Sequence, residues 1–292
     1  AFILSMRLID SHCHVQFNAY KDDANEVIGR AIEADTLMIA VGSQNSTSRR
    51  AVEYAKKYPK KIWAVIGLHP VHLTEQEVDE EEIIFKTREE KFDFEFYKKL
   101  AQEPEVVGIG ECGLDFYHLP PNHSLEEVKK IQEDAFYKQV ELADEMNLPL
   151  VIHCRAAHFH LIPVLQKLIK QGKLKNRGVA HCFTGNWPEA EAYLDLGFYI
   201  GLTGVICFPP KKNDPQPTLD FLEVAKNTPL DRLLIETDAP YLAPPPFRGK
   251  RNEPAYVRYV VEKIAEIKGE TAEKVAQQTV KNTLNLFKKI KL

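Results

Sequence analysis

Two histidines stand one residue apart near the start of the chain, in Leu8-Ile9-Asp10-Ser11-His12-Cys13-His14. Side chains on a β-strand alternate between faces, so Asp10, His12 and His14 are predicted to point the same way. Two imidazoles on one face at a strand end can hold one metal ion as a pair. Four more ligand types close other apolar runs. Glu111 follows Val106-Val107-Gly108-Ile109-Gly110, and His153 follows Leu148-Pro149-Leu150-Val151-Ile152. His181 follows Gly178-Val179-Ala180, and Asp238 follows Leu233-Leu234-Ile235-Glu236-Thr237. Any one of these alone reads as a packed or capping residue. Their recurrence at the ends of strand-like runs points to a metal site on the top face of a barrel.

Mixed imidazole and carboxylate ligands suit zinc, manganese or iron, and hold magnesium less selectively. Six ligands exceed what one four-coordinate ion needs if substrate positions stay open. A carboxylate has two oxygens and can bridge. Glu111, in the middle of the strand order, is the natural bridge between one ion on His12, His14 and Asp238 and a second on His153 and His181. Two such ions are a standard device for phosphoester cleavage, one acidifying a water and both stabilising the attacking and leaving oxygens. The chain has no G-x-S-x-G and no P-loop to support a rival chemistry.

The elements that must position these residues follow an alternating pattern. Strands are predicted near 7–13, 36–41, 62–67, 105–110, 148–153, 178–182, 198–202 and 232–236. Helices are predicted near 24–34, 46–58, 92–102, 125–146, 159–171, 187–196, 217–226 and 254–268. Eight strand–helix units imply parallel crossovers and a closed (β/α)8 TIM barrel. A further C-terminal helix, 271–288, is expected to pack on the outside. No Gly/Ser-rich linker interrupts the pattern, so residues 1–292 read as a single domain. The Pro-rich stretch 239–249 is expected to form a stiff rim beside the site.

The 292 residues are ordinary in composition for a globular protein, 27% charged and 44% hydrophobic. No apolar run approaches a membrane span. Residues 1–5 precede a methionine and are too few for a signal peptide. The five cysteines form no C-x-x-C and read as free thiols in a reducing, cytoplasmic setting. Cys13, Cys154 and Cys182 each neighbour a ligand, so alternation turns them outward, between barrel and helices. The net charge of −4 conceals an acidic stretch, Thr74–Phe96, with ten acidic and three basic residues, expected to be a solvated loop or helix face. That stretch is expected to face away from the mouth or to screen out duplex DNA. Lys211, Lys212, Arg248, Lys250 and Arg251 remain for a local basic mouth. His158 and His160 repeat the H-x-H spacing on a helix, where they cannot converge, and are expected to cap or face solvent. His72, His118 and His123 are expected in solvated loops.

Several blocks together resemble the TatD family of metal-dependent deoxyribonucleases. They are Ile9-Asp10-Ser11-His12-Cys13-His14, Gly67-Leu68-His69-Pro70, Gly110-Glu111-Cys112-Gly113-Leu114-Asp115 and His181-Cys182-Phe183-Thr184-Gly185. Glu236-Thr237-Asp238-Ala239-Pro240-Tyr241-Leu242 and Arg248-Gly249-Lys250-Arg251-Asn252-Glu253-Pro254 complete the set. The resemblance covers nearly the whole chain. It implies a metal barrel of the amidohydrolase type, with Glu111 where relatives often place a carboxylated lysine. It also implies hydrolysis of DNA phosphodiesters with divalent metal, commonly 3′→5′ on single strands. Some family members are linked instead to D-aminoacyl-tRNA. The acidic insertion looks longer than the family's usual link. In this reading Asp238 and Glu111 are catalytic, and Tyr241, Phe247 and Phe208 stack bases. Glu236 hydrogen-bonds a ligand imidazole. Asp115 and Arg155 orient ligands or grip a phosphate, and His69 contacts the scissile group without being a ligand. A metal hydrolase of a small ester or amide would share the ligands but need no basic rim. A non-catalytic binding protein should lack a ligand. Nothing in the sequence calls for a protein partner.

Overall fold

The computed structural model describes residues 6–80 and 83–292. Its strands, in chain order, are β1 (Leu8–Cys13), β2 (Thr36–Val41), β3 (Ile62–Ile66), β4 (Glu77–Glu80), β5 (Ile83–Lys86), β6 (Val106–Asp115), β7 (Leu150–Arg155), β8 (Gly178–Ala180), β9 (Tyr199–Leu202) and β10 (Leu233–Ile235). All but β4 and β5 form one eight-stranded sheet in the order β1-β2-β3-β6-β7-β8-β9-β10. Neighbours pair in parallel. A parallel bridge from Cys13 to Ala239 joins the first strand to the segment after the last. The His14 N–H donates to the Ala239 carbonyl at 2.7 Å there, and the Asp238 N–H to the His12 carbonyl at 2.9 Å. The molecule is a (β/α)8 TIM barrel with an additional C-terminal helix.

Helices α1 (Ala24–Glu33), α2 (Asn45–Lys57), α3 (Phe94–Ala101), α4 (Leu125–Met146), α5 (His158–Lys170), α6 (Trp187–Asp195), α7 (Gln216–Asn227) and α8 (Val257–Lys268) follow the barrel strands in turn. Their starts are chemically marked. Ser124 and Glu127 form a reciprocal capping box at α4, as do Asn186 and Glu189 at α6. Between barrel and helices runs one apolar layer that includes Leu8, Met38, Ile66, Ile109 and Ile152. Inside the barrel lies another, including Ile9, Ile39, Val65, Val107, Val151, Val179 and Leu234. The last helix, α9 (Ala272–Leu286), does not simply pack outside as expected. Its end delivers Leu286, Phe287 and Ile290 into the interior layer, where Phe287 is fully buried. The barrel interior needs such a filling, and a buried Phe contributes about 1.5–3 kcal/mol over an exposed one.

The acidic stretch is a second departure. It is neither plain loop nor helix face but carries an antiparallel hairpin, β4 on β5, with Glu77 opposite Lys86. The run Ile83-Ile84-Phe85 favours extended backbone, which outweighs the surrounding charge. At its base the Thr87 N–H donates to the Gln76 carbonyl at 2.8 Å, and the Gln76 N–H to Thr87 Oγ1 at 2.8 Å. Glu90 then accepts from the Asn45 N–H at 2.9 Å and the Tyr97 hydroxyl at 3.3 Å. The hairpin therefore leaves the barrel after β3, at the end where the ligand-type residues stand.

Candidate metal centre

Strand alternation places only some of these residues. On β7, Val151 lies in the barrel interior and His153 two positions later shares its side. Val179 and His181 repeat this, as do Leu234 and Glu236. β1 and β6 break the rule. Ile9 is interior while Cys13 packs against the helices, and the pairing register shifts between Asp10 and Cys13. Val107 is interior, Ile109 and Cys112 are outside, and the register shifts between Ile109 and Cys112. The shift in β1 swings His12 onto the inner side, while β6 carries a second shift before Gly108, and the two together return Glu111 to the side of Val107. β6 also runs on to Asp115, so Glu111 lies within the strand rather than at its end. Gly113 permits that passage. Its φ is +145°, and a Cβ there would collide with the His153 carbonyl oxygen. Asp10 does not join the cluster. It accepts from the Thr237 N–H at 2.9 Å and from the Thr237 hydroxyl.

The two oxygens of Glu111 face different partners. Oε2 is 3.4 Å from His12 Nε2 and 3.9 Å from His14 Nε2. Oε1 is 3.1 Å from His153 Nδ1, 3.2 Å from His69 Nε2 and 3.5 Å from His181 Nε2. Asp238 Oδ1 closes the other side, 3.3 Å from His14, 3.7 Å from His12 and 3.8 Å from His181. The structure thus brings together all six ligand-type residues named from sequence.

The outer hydrogen bonds fix which ring nitrogens face inward. A carbonyl only accepts, so His14 Nδ1, 2.7 Å from the Val41 oxygen, carries the proton and Nε2 is free to ligate. His181 Nδ1 donates to Glu236 Oε2 at 2.9 Å, and His153 Nε2 donates to Asp115 Oδ2 at 3.0 Å. These are the carboxylate–histidine pairs that orient metal-binding imidazoles. His12 Nδ1 is buried without a hydrogen-bond partner, and its ring is held by stacking on His181 at 3.4 Å. His69 differs. Its Nδ1 accepts the Val71 N–H at 3.2 Å, so a neutral ring carries its proton on Nε2 and offers Glu111 a donor rather than a metal a lone pair. A backbone N–H two residues on, at Val71, decides this.

The electrostatics call for a cation. Burial alone would push His153 and His181 down. The hydrogen bonds and charges of Asp115 and Glu111 instead hold His153 up at about 10, and Glu236 with Glu111 holds His181 up at about 9. Burial opposes ionisation of Glu111 and Asp238, yet the surrounding imidazoles keep both below the usual carboxylate range. His12 moves the other way, to about 4, from burial and then the neighbouring His181. A divalent metal would replace the protons that these carboxylates hold on His153 and His181, and the residues present are a suitable donor set.

Other positions correct the sequence reading. Arg251 is not part of a free basic mouth. It pairs with Asp23 at 3.0 Å through Nη1, with a second contact through Nη2, and lies 4.5 Å from the Tyr20 ring centroid. Arg248 is exposed but covers the Phe208 ring at 3.8 Å. Phe247 stacks face to face on Tyr256 at 3.9 Å, so one of its faces is taken. Lys211, Lys212 and Lys250 are exposed. His72 and His118 are buried, not solvated, while His123 is exposed. His118 donates through Nδ1 to the Asp115 carboxylate at 2.9 Å, and its N–H does so at 2.8 Å. Asp115 is thereby locked from two sides, a role that the i, i+3 spacing from Asp115 signals. His158 is buried against the Tyr193 hydroxyl, and His160 pairs with Glu133. Cys13 and Cys154 face the helices, and Cys182, past the end of β8 at φ +41°, packs half-buried against the same layer while its sulfur also lies near His181 and Asp238.

The comparisons with known proteins agree with this architecture. The sequence model of the family described as TatD related DNase matches residues 9–288. An uncharacterized metal-dependent hydrolase of Bacillus subtilis, YabD, is 40% identical over 282 residues, covering 96% of this chain and 99% of that one. A protein of Erwinia tasmaniensis named 3′-5′ ssDNA/RNA exonuclease TatD is 34% identical, with 96% and 99% covered. Among solved structures, the TatD homolog YJJV of Escherichia coli K12 superimposes with a TM-score of 0.81 at 28% identity, covering 98% of this chain and 99% of that one. With an (β/α)8 barrel and a converging imidazole–carboxylate pocket already in hand, these likenesses show that the chain is a metal-dependent hydrolase belonging to the TatD-related DNase family.

Proposed function

We propose that this protein is a deoxyribonuclease that removes nucleotides from the 3′ ends of single-stranded DNA, using two divalent ions (magnesium, manganese or zinc) shared across Glu111. The observation that carries this reading is the division of Glu111, with Oε2 toward His12 and His14 and Oε1 toward His153 and His181. A single ion would leave half of these donors without a role. The 3′→5′ direction and the single-stranded substrate rest on the names of relatives such as the Erwinia protein.

Divalent ions in such a site polarise the phosphoryl oxygen, acidify a water and stabilise the leaving oxygen. The remaining work falls to the chain. His12, His14 and Asp238 would hold one ion and His153 and His181 the other. Asp238 takes the proton of the attacking water, and its place between His14 and His181 keeps it ionised for that task. Glu236 and Asp115 fix the rings of His181 and His153. His69 donates its Nε2–H to Glu111, orienting that carboxylate beside the place of the scissile phosphate. Arg248, Lys250, Lys211 and Lys212 draw the strand through its phosphates, while Arg251 ties the loop to Asp23. A mouth ringed by loops admits a chain end more readily than the middle of a stiff duplex.

We read residues 1–292 as one catalytic unit. The five free cysteines suit a reducing compartment, the cytoplasm. No described helix is long and apolar enough to cross a membrane. The test is digestion of 5′- and 3′-labelled single strands with each metal. A shortening ladder from the 5′-labelled strand supports the reading. Hydrolysis of a small ester, an amide or a D-aminoacyl-tRNA with both strands left intact overturns it.

A further inference from the structure

Large apolar side chains on the described surface are unevenly placed. Tyr117, Leu119 and Leu125 are 63%, 44% and 39% exposed, and Phe159 is 67% exposed. These four, including both exposed aromatics, follow β6 and β7, the strands that carry Glu111 and His153, while Leu219 and Leu292 lie elsewhere. Exposed apolar surface rimmed by polar residues marks an interaction site.

Tyr117 stands on an anchored loop. Its N–H donates to Asp115 Oδ1 at 2.9 Å, and Asp115 Oδ2 holds His153 at 3.0 Å. One carboxylate therefore fixes this loop relative to the metal centre. The Arg155 guanidinium lies 4.3 Å from the Tyr117 ring centroid, laying a cation against the ring. Phe159, in the first turn of α5, sits 6.4 Å from Phe116, which lies within 6.0 Å of the Lys129 ammonium. The aromatics after β9 and β10, Phe208 and Phe247, are only half-exposed, and Phe247 has one face taken by Tyr256.

We propose that Tyr117 and Phe159, with Arg155 against Tyr117, form a stacking platform for unpaired bases of the strand whose end lies at the metal centre. Planar bases joined by phosphates match exposed rings interleaved with cations. A duplex hides its base faces, so such a platform selects single strands without reading sequence. This proposal rests on the strand-cleaving function proposed above.

The test compares steady-state kinetics of metal-loaded wild type, Tyr117→Leu with Phe159→Leu, and Tyr117→Phe, all on a labelled single-stranded oligonucleotide. Both positions are largely exposed, so the core is untouched, and thermal melting checks the fold. The double variant should raise the oligonucleotide KM by about tenfold or more, with a much smaller change in kcat. Tyr117→Phe, which keeps the ring, should stay near wild type. A double-variant KM within twofold of a wild type that digests the strand would refute the platform alone. A wild type that hydrolyses bis(p-nitrophenyl) phosphate but neither binds nor digests the strand would refute the strand-cleaving function, and the platform with it.

Discussion

Replacing Glu236 by Gln tests whether the layer behind the ligands sets metal affinity. Glu236 is fully buried, and its Oε2 accepts both the His181 Nδ1–H and the Cys182 N–H, each at 2.9 Å. Its Oε1 lies 3.3 Å from Ser11 Oγ, which also donates to the Ile235 carbonyl at 3.0 Å. A glutamine oxygen can keep both bonds at Oε2, and the Ser11 hydroxyl can turn wholly to Ile235. What is lost is the charge. Hydrogen bonds to charged groups are worth about 1.5–3 kcal/mol, and neutral ones about 0.5–1.5. The difference, about 1–1.5 kcal/mol, weakens the ion on His181 by roughly five- to tenfold. Glu236→Ala is harsher, because it leaves two buried donors unpaired at about 1–3 kcal/mol each. The space is tight as well, since a Cβ added at Gly201 would come 2.5 Å from Glu236 Cδ. Calorimetric titration of metal-stripped protein with manganese reads the change directly. Wild-type affinity in Glu236→Gln would refute the reasoning.

Four further outcomes are expected. Asp238→Asn should keep the fold and some metal while lowering kcat by about 10²–10⁴-fold, the usual worth of a positioned acid–base group, so near-normal turnover would remove its role. Arg248→Ala with Lys250→Ala should raise KM for single-stranded DNA and flatten its dependence on salt, checked by kinetics at several ionic strengths. Deleting residues 77–86, whose flanks Gln76 and Thr87 already hydrogen-bond, should leave single-strand cleavage intact or raise it, and a collapse in a folded variant would show that the hairpin builds the site. Metal-stripped protein should lose stability as pH rises from about 6.5 through about 9 and 10, where His181 and His153 release their protons. Those rings are raised in the folded state, so their contribution is full below their unfolded value and vanishes above the folded one. Melting temperatures with and without metal across that range check it.

The alternation of strands and helices was plain in the chain because each barrel strand is a short apolar run bounded by polar helix starts. His153, His181 and Glu236 were readable for the same reason, lying on the interior side by simple two-residue periodicity. His12 reaches the pocket through a register shift in β1, which side-chain pattern does not encode, whereas the two shifts in β6 cancel and leave Glu111 on the side of Val107. The place of His12 was legible from residue type and from the resemblance, not from periodicity. The tautomer of His69 depends on the backbone N–H of Val71, and the diversion of Arg251 depends on Asp23 far away in sequence. The hairpin hid behind its charge, since an acidic run shows no apolar alternation. The interior role of Phe287 was hidden because the apolar side of α9 looks alike whether it covers or plugs a barrel.

The most direct measurement is anomalous diffraction from crystals grown with manganese or zinc. The account predicts two peaks, one beside His12, His14 and Asp238 and one beside His153 and His181, with Glu111 touching both. It also predicts that Glu111→Ala crystals lose most of that density. Two ions with Glu111 outside both coordination shells, or one ion held without it, would contradict the account.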